Sequence, residues 1–315
     1  WDYLREDPDL AFARMLFESP TFLARPLVDE TALPPSSHTE ILDWERASEV
    51  IGKAGSWGEG LCHCRHMARR LGRGCDYPPE HCLSLGIGAE YLIRNGMARR
   101  IDLARALEIL DYSRSHDMVQ MCDNVKNRPT NICNCCPCCC EMLEGIRALK
   151  NREAIVTSGW LATPDEEACT GCNRCVKACP VEAIHLQTAP PTGRAPRRKN
   201  RAVVNADTCL GCGICVHHCR HAALSLERLP ARVHTPDSMM EKMMIQALER
   251  GKLQNLLFDD PDRLDHRVLN ALVRVVLTLP PSKALLARDQ VKSRFVKMAL
   301  DGFRKTPHGW MTKVE

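Results

Sequence analysis

Cys169, Cys172, Cys175 and Cys179 precede Pro180, and Cys209, Cys212, Cys215 and Cys219 repeat the same spacing. Thiolates three residues apart wrap one side of a metal–sulfur cube. The fourth cysteine of each run lies too far along the chain to close that cube, so it closes the other one. The spacing therefore predicts two [4Fe–4S] clusters with crossed ligand sets. Cys169, Cys172, Cys175 and Cys219 hold one; Cys209, Cys212, Cys215 and Cys179 hold the second. Soft thiolates select iron–sulfur clusters or zinc over hard cations, and a zinc ribbon has no use for two matching runs of four.

Residues around the cysteines agree. Gly171, Gly211 and Gly213 let the backbone turn tightly and aim amide N–H groups at sulfur. Residues 165–228 resemble the two-cluster bacterial ferredoxins, with Pro180 after the first run as in that family. The second run departs from the pattern: Arg220 replaces the proline, and His217 and His218 lie inside it. Positive charge there favours the reduced, more negative cluster, although both histidines also read as plain polar surface. Val181, Ala183, Ile184 and Leu186 after one run match Ala222, Ala223, Leu224 and Leu226 after the other, which predicts paired short strands over the clusters. Gln187 to Arg201 is an insertion rich in proline and arginine and reads as a basic, solvated loop.

The chain has 315 residues, room for about two domains. Its net charge of +4 is too small to argue for nucleic acid. Nineteen cysteines would suggest disulfides in an oxidising compartment, but clusters assemble where thiols stay reduced, so the cytoplasm is the expected location. The opening Trp1-Asp2-Tyr3-Leu4-Arg5-Glu6-Asp7 is polar and acidic, unlike a secretory signal. No apolar run approaches the roughly 20 residues of a membrane span.

Residues 61–150 carry the other eleven cysteines: Cys62, Cys64, Cys75, Cys82, Cys122, Cys133, Cys135, Cys136, Cys138, Cys139 and Cys140. Helical patterning dominates this stretch. Pro78-Pro79 is expected to start a helix through Leu83, Ile87, Tyr91 and Leu92, and Asp102 to cap another carrying Leu103, Ala106, Leu107 and Leu110. Buried cysteines can be small hydrophobes, but six within residues 133–140 exceed that account. A tetrahedral ion accepts four. Three possibilities stand: a third iron–sulfur cluster drawing on both cysteine groups, a structural zinc, or a dithiol relay with unligated thiols. Arg65, Arg69, Arg70 and Arg73 either lower thiolate pKa values or form a solvated helix face.

Cys62-His63-Cys64-Arg65-His66 and Cys133-Asn134-Cys135-Cys136-Pro137-Cys138-Cys139-Cys140 are also similar to motifs of a family of bacterial and archaeal iron–sulfur proteins of poorly defined role. In that family they precede a two-cluster ferredoxin module. The resemblance covers residues 60–228 and implies electron carriage, with a redox enzyme or another carrier as partner.

The expected architecture is α+β, largely helical, with an embedded two-[4Fe–4S] ferredoxin-like module. It has four parts: a helical cap (1–60), a helical cysteine-rich domain (61–150), the two-cluster domain (151–228) and a helical C-terminal arm (229–315). In the cap, Leu10, Phe12, Met15, Leu16 and Phe17 mark an apolar face, and Thr39 caps a helix through Ile41, Leu42, Trp44 and Val50. The arm predicts helices near Pro236–Gly251, Arg263–Leu279 and Ser282–Gly302. Met239, Met240, Met243 and Met244 form either a docking face or gap-filling core contacts. No substrate pocket, nucleotide loop or triad is legible. The leading expectation is an electron-transfer protein or subunit. A reductase component with its own substrate and a redox-sensing DNA-binding regulator are the alternatives, the latter without base-reading residues in 1–60.

Overall fold

The computed structural model describes residues 23–37, 40–150, 155–189, 199–230, 234–258, 260, 262–286 and 289–305. The apolar face over residues 10–17, the Thr39 cap and the centre of the basic insertion lie outside them. Two compact units form, one of residues 1–123 and 129–233, the other of 124–128 and 234–315. Helices and antiparallel strands are mixed, as an α+β chain requires. Among the described residues no helix is long and apolar enough to cross a membrane.

The first unit is built on a six-stranded sheet. Its strands are β1 (Ala24–Pro26), β2 (Trp57–Gly60), β3 (Cys82–Leu85), β4 (Ala98–Ile101), β5 (Val119–Asp123) and β6 (Asn131–Cys135). They lie in the order β1-β5-β6-β3-β2-β4, every neighbouring pair antiparallel. Helices α1 (Ala47–Gly52), α2 (His63–Arg70), α3 (Gly86–Arg94) and α4 (Leu103–Ser115) fall between strands, and α5 (Glu141–Leu149) follows the last. Asp102 does cap α4, its carboxylate accepting from Arg105 N–H at 2.8 Å. The expected helix from Pro78-Pro79 is instead a strand followed by a helix starting at Gly86. Leu83 and Leu85 point into the same apolar core while Cys82 and Ser84 turn away: a period of two, which the spacing from Leu83 to Ile87 concealed.

That alternation gives the sheet two faces. One buries Leu83, Leu85, Cys122 and Ile132 under Ala47, Val50 and Ile51 of α1 and Ala106, Ile109 and Leu110 of α4. The other carries Val119, Met121, Cys133 and Cys135, and its core runs on through Leu143 and Ile146 of α5 into the residues around the repeated cysteine runs. The cysteine-rich segment and the repeat therefore share one apolar core.

Within the repeat, β7 (Trp160–Pro164), α6 (Arg174–Ala178), β8 (Ile184–Ala189), β9 (Lys199–Val204), α7 (Ile214–His217) and β10 (Leu224–Arg228) follow in order. The two apolar stretches after the cysteine runs are strands, but they do not pair with each other. β8 pairs with β9, and β10 pairs with β7. The insertion thus extends a hairpin at both ends, because Lys199–Val204 supplies alternating residues that β8 can hydrogen-bond. The β7–β10 pair joins the segment before the first run to the segment after the second. Trp160 at its end is fully buried and has the Arg228 guanidinium over its ring.

The second unit holds α8 (Met239–Glu249), α9 (Leu253–Leu257), α10 (Leu264–Thr278), α11 (Pro280–Leu286) and α12 (Asp289–Arg304). Ser238 caps α8 by accepting from Glu241 N–H. Met244, Ile245 and Leu248 pack on Leu253, Val296 and Leu300, so Met244 is core, whereas Met243 is exposed. The last expected helix is two helices, α11 and α12.

Candidate metal centres

The repeated runs surround two cavities. Cys169, Cys172, Cys175 and Cys219 line the first, together with Leu186, Ala202 and Leu224. Cys179, Cys209, Cys212 and Cys215 line the second, with Ala162, Val181, Ile184 and Leu226. The fold thus brings the fourth cysteine of each run to the other run's three, the grouping expected from the spacing.

Each cavity is a cradle for a group rich in sulfur. Ala183 N–H donates to Cys179 Sγ and Ala223 N–H to Cys219 Sγ, both at 3.2 Å, at matching places in the repeat. Ala202 N–H reaches Cys169 Sγ at 3.4 Å. Amide donors aimed at sulfur favour the thiolate form that metals require. Close backbone approach at the turns demands glycine. Gly171 has φ +69°, and a Cβ there would meet Asn200 O at 2.3 Å; Gly211 has φ +66°, and a Cβ would meet Trp160 O at 2.1 Å. Burial pushes the thiols of Cys175, Cys179, Cys212 and Cys215 up, while the Arg174 N–H holds exposed Cys172 below the usual range. Four thiols, an apolar lining and N–H donors suit a [4Fe–4S] cluster, whose binding releases the protons that burial retains.

His217 and His218 are surface residues, as the plain reading has it, and each is paired with a carboxylate. His217 Nε2 lies 2.9 Å from Asp29 Oδ2, and the Asp29 N–H donates to Cys212 O at 3.1 Å. His218 Nε2 lies 2.8 Å from Asp117 Oδ2 and lines the first cavity. The loop after β1 and the turn before β5 thereby grip the second cysteine run, through long-range contacts that sequence spacing does not encode.

The eleven remaining cysteines sort into three sets. Cys75, Cys136, Cys138 and Cys139 have all four sulfurs within 4.8 Å of one another, the one such group among the described residues. Cys75 to Cys136 is 3.8 Å, Cys139 to Cys75 is 3.6 Å and Cys139 to Cys138 is 3.8 Å. A Zn–S bond of about 2.3 Å in a tetrahedron sets its sulfurs about 3.8 Å apart. The quartet has the dimensions of a single-ion site, tighter than the sulfurs around the two cavities. Burial pushes the Cys75 thiol up, but the Tyr77 N–H and the thiols of Cys139, Cys138 and Cys136 outweigh it and hold it below the ordinary value.

Arg65, the arginine of the first motif, sits against this quartet. Its side chain is 1% exposed and donates to Pro78 O (2.8 Å), Asn134 O (2.5 Å), Met118 Sδ (3.1 Å) and Cys136 Sγ (3.5 Å). It is an internal cation beside thiols, not part of a solvated face. Arg69 instead braces the loop by donating to Cys75 O and Tyr77 O.

The second set is Cys62, Cys64, Cys82, Cys133, Cys135 and Cys140, linked by thiol–thiol interactions. Neighbouring thiols hold Cys133 and Cys140 well below the ordinary value and push Cys135 above it. Nothing in a helical reading of 61–150 brings these six together; the signal that does is Cys133 and Cys135 two residues apart on β6, opposite Cys82. Cys122 stands apart, buried among Leu27, Leu83 and Ile132 with its thiol donating to Asp123 O at 3.3 Å. It is a small hydrophobe.

A family model described as a 4Fe-4S dicluster domain matches residues 168–223, the part of the chain that holds both cavities. Comparison with curated proteins and with solved structures found no match.

Proposed function

We propose that the chain is an iron–sulfur electron-transfer protein or subunit that passes single electrons between a redox enzyme and another carrier through two [4Fe–4S] clusters. Cys169, Cys172, Cys175 and Cys219 hold one cluster; Cys209, Cys212, Cys215 and Cys179 hold the second. The observation that carries this is the crossed lining of the two cavities, supported by the dicluster match over the same residues. Clusters of this type exchange one electron without rearranging bonds, and the protein's part is to tune and insulate them through N–H···S bonds and burial. Leu186, Leu224 and Leu226 supply the insulation and Ala183 and Ala223 the amide donors.

A further cysteine-ligated centre lies in the cysteine-rich segment, and its ligands are Cys75, Cys136, Cys138 and Cys139. The sulfur spacing favours one tetrahedral zinc over a cubane, whose irons sit at separate corners and hold their thiolates further apart. Zinc has no redox chemistry, so this centre staples the loop after α2 to the turn before α5.

The test is a redox titration of the anaerobically purified chain followed by EPR, with Cys172→Ala alongside. The wild type shows two one-electron reductions assignable to the repeat, and Cys172→Ala loses or converts one while zinc content is unchanged. Absence of any reducible cluster in the wild type overturns the carrier reading.

A further inference from the structure

Ten of the eleven cysteines outside the repeat are gathered into groups, yet the zinc quartet accounts for only four. The six others converge from four elements of the sheet unit. Cys82 begins β3 and stands directly opposite Cys133 of β6 in the antiparallel register, where side chains on one face lie about 5 Å apart. Cys135 follows two residues later and therefore points to the same face. Cys62 and Cys140 are the residues that precede α2 and α5, and Cys64 lies in the first turn of α2. Their acidities are tied together in order: Cys64 raises Cys62, Cys140 raises Cys64, Cys133 and Cys140 raise Cys135, and Cys133 raises Cys82.

The Asn131 side-chain amide donates to Cys133 Sγ at 3.3 Å, and Cys62, Cys64 and Cys140 lie where α2 and α5 begin. Cys135 and Cys140 are buried, and the group borders the apolar core shared with the repeat. No carboxylate or imidazole belongs to the set. Six thiols select soft metals over hard cations.

We propose that Cys62, Cys64, Cys82, Cys133, Cys135 and Cys140 form a second metal centre of this segment, separate from the zinc quartet, and that it holds an iron–sulfur cluster. Two geometric facts set the metal class. A single tetrahedral ion takes four thiolates, and six converge. No four of the six have all their sulfurs within 4.8 Å, although Cys75, Cys136, Cys138 and Cys139 a few residues away do. Thiolates spread beyond the span of one ion fit a polynuclear cluster with several metal corners. The position is suited to redox traffic. α5 starts at this site, and Arg147 near its other end donates to Pro180 O, beside Cys179 of the second cavity. Seven residues of helix span about 10 Å.

The experiment uses the full chain purified anaerobically from iron-replete cells, with iron, acid-labile sulfide and zinc counted per chain in the wild type, in Cys133→Ser/Cys135→Ser and in Cys136→Ser. The wild type carries iron and sulfide beyond the roughly eight of each that two cubanes contain. Cys133→Ser/Cys135→Ser loses that excess, about a third of the total iron if the cluster is a third cubane, and keeps the repeat's EPR signals and its zinc. Cys136→Ser loses zinc and keeps the excess iron. A wild type with only about eight irons, a second zinc in place of the excess, or excess iron that survives in the double variant overturns the proposal. Alkylation of the native wild type gives a check that needs no variant to fold. The six thiols stay unmodified until iron is removed; their modification with iron still bound overturns the assignment. Because the repeat is intact in both proteins compared, failure of the electron-transfer reading leaves this outcome legible.

Discussion

Gly211→Ala tests whether the second cavity depends on backbone contact at the turn after Cys209. Gly211 and Gly72 both have positive φ, +66° and +71°, so alanine at either carries the same left-handed penalty of about 1–2 kcal/mol. They differ in surroundings. At Gly72 nothing lies within 4 Å of the added Cβ, whereas at Gly211 it falls 2.1 Å from Trp160 O and 2.4 Å from Ser158 Oγ. The carbonyl belongs to backbone held by the Trp160 ring at zero exposure, and Ser158 Oγ donates to Gly211 O at 2.8 Å. Relief requires moving one strand by more than an ångström, and overpacking of this kind costs a further ~1–3 kcal/mol. The expected total is ~2–5 kcal/mol at Gly211 against ~1–2 kcal/mol at Gly72. Anaerobic thermal melts and the rate of iron release to a chelator read the difference. Gly211→Ala melts lower and releases roughly half of the repeat's iron first, as one cluster of two. Equal melting temperatures and equal release rates for the two variants would refute the steric reasoning.

Three further outcomes are expected. Arg65→Met strips donors from the half-buried Pro78 carbonyl and the buried Asn134 carbonyl and costs about 1–3 kcal/mol, seen as a lower melting temperature; no measurable loss would show those carbonyls are satisfied without it. Cys136→Ser removes zinc from the chain while leaving the repeat's two reductions in place, checked by metal analysis and EPR. Glu59 is 6% exposed and paired with Arg105 at 2.9 Å and with Arg99. Burial pushes its carboxyl up, but the two guanidinium groups outweigh that and leave it below the ordinary value. A depressed carboxyl stabilises the fold above its unfolded pKa and loses that contribution as pH falls through the folded value. Glu59→Gln is therefore less stable than wild type at neutral pH, with the gap closing in acid; a gap constant from neutral to acid pH rules the ion pair out as its source.

Much of the repeat is legible in the chain itself. A cluster ligand must be a thiolate at a set spacing, so Cys169 to Cys179 and Cys209 to Cys219 announce the chemistry and even the grouping found around the two cavities. Caps are equally local: Asp102 reports the start of α4 because its carboxylate bonds an amide three residues away.

The cysteine-rich segment was less transparent because its order comes from strand pairing. Leu83 and Leu85 carry a period of two over only four residues, too short to outweigh the helical pattern that follows, so β3 read as helix. Likewise β8 and β10, which looked like partners, each pair with strands beyond the repeated motif. Spacing alone pointed to soft-metal chemistry in the repeat, the part of the chain that the dicluster family model matches. Which of the other eleven cysteines belong together was decided only by tertiary structure. Cys82 meets Cys133, and Cys75 meets Cys136, through register and helix placement set by burial over the whole sheet, and no local spacing records those contacts.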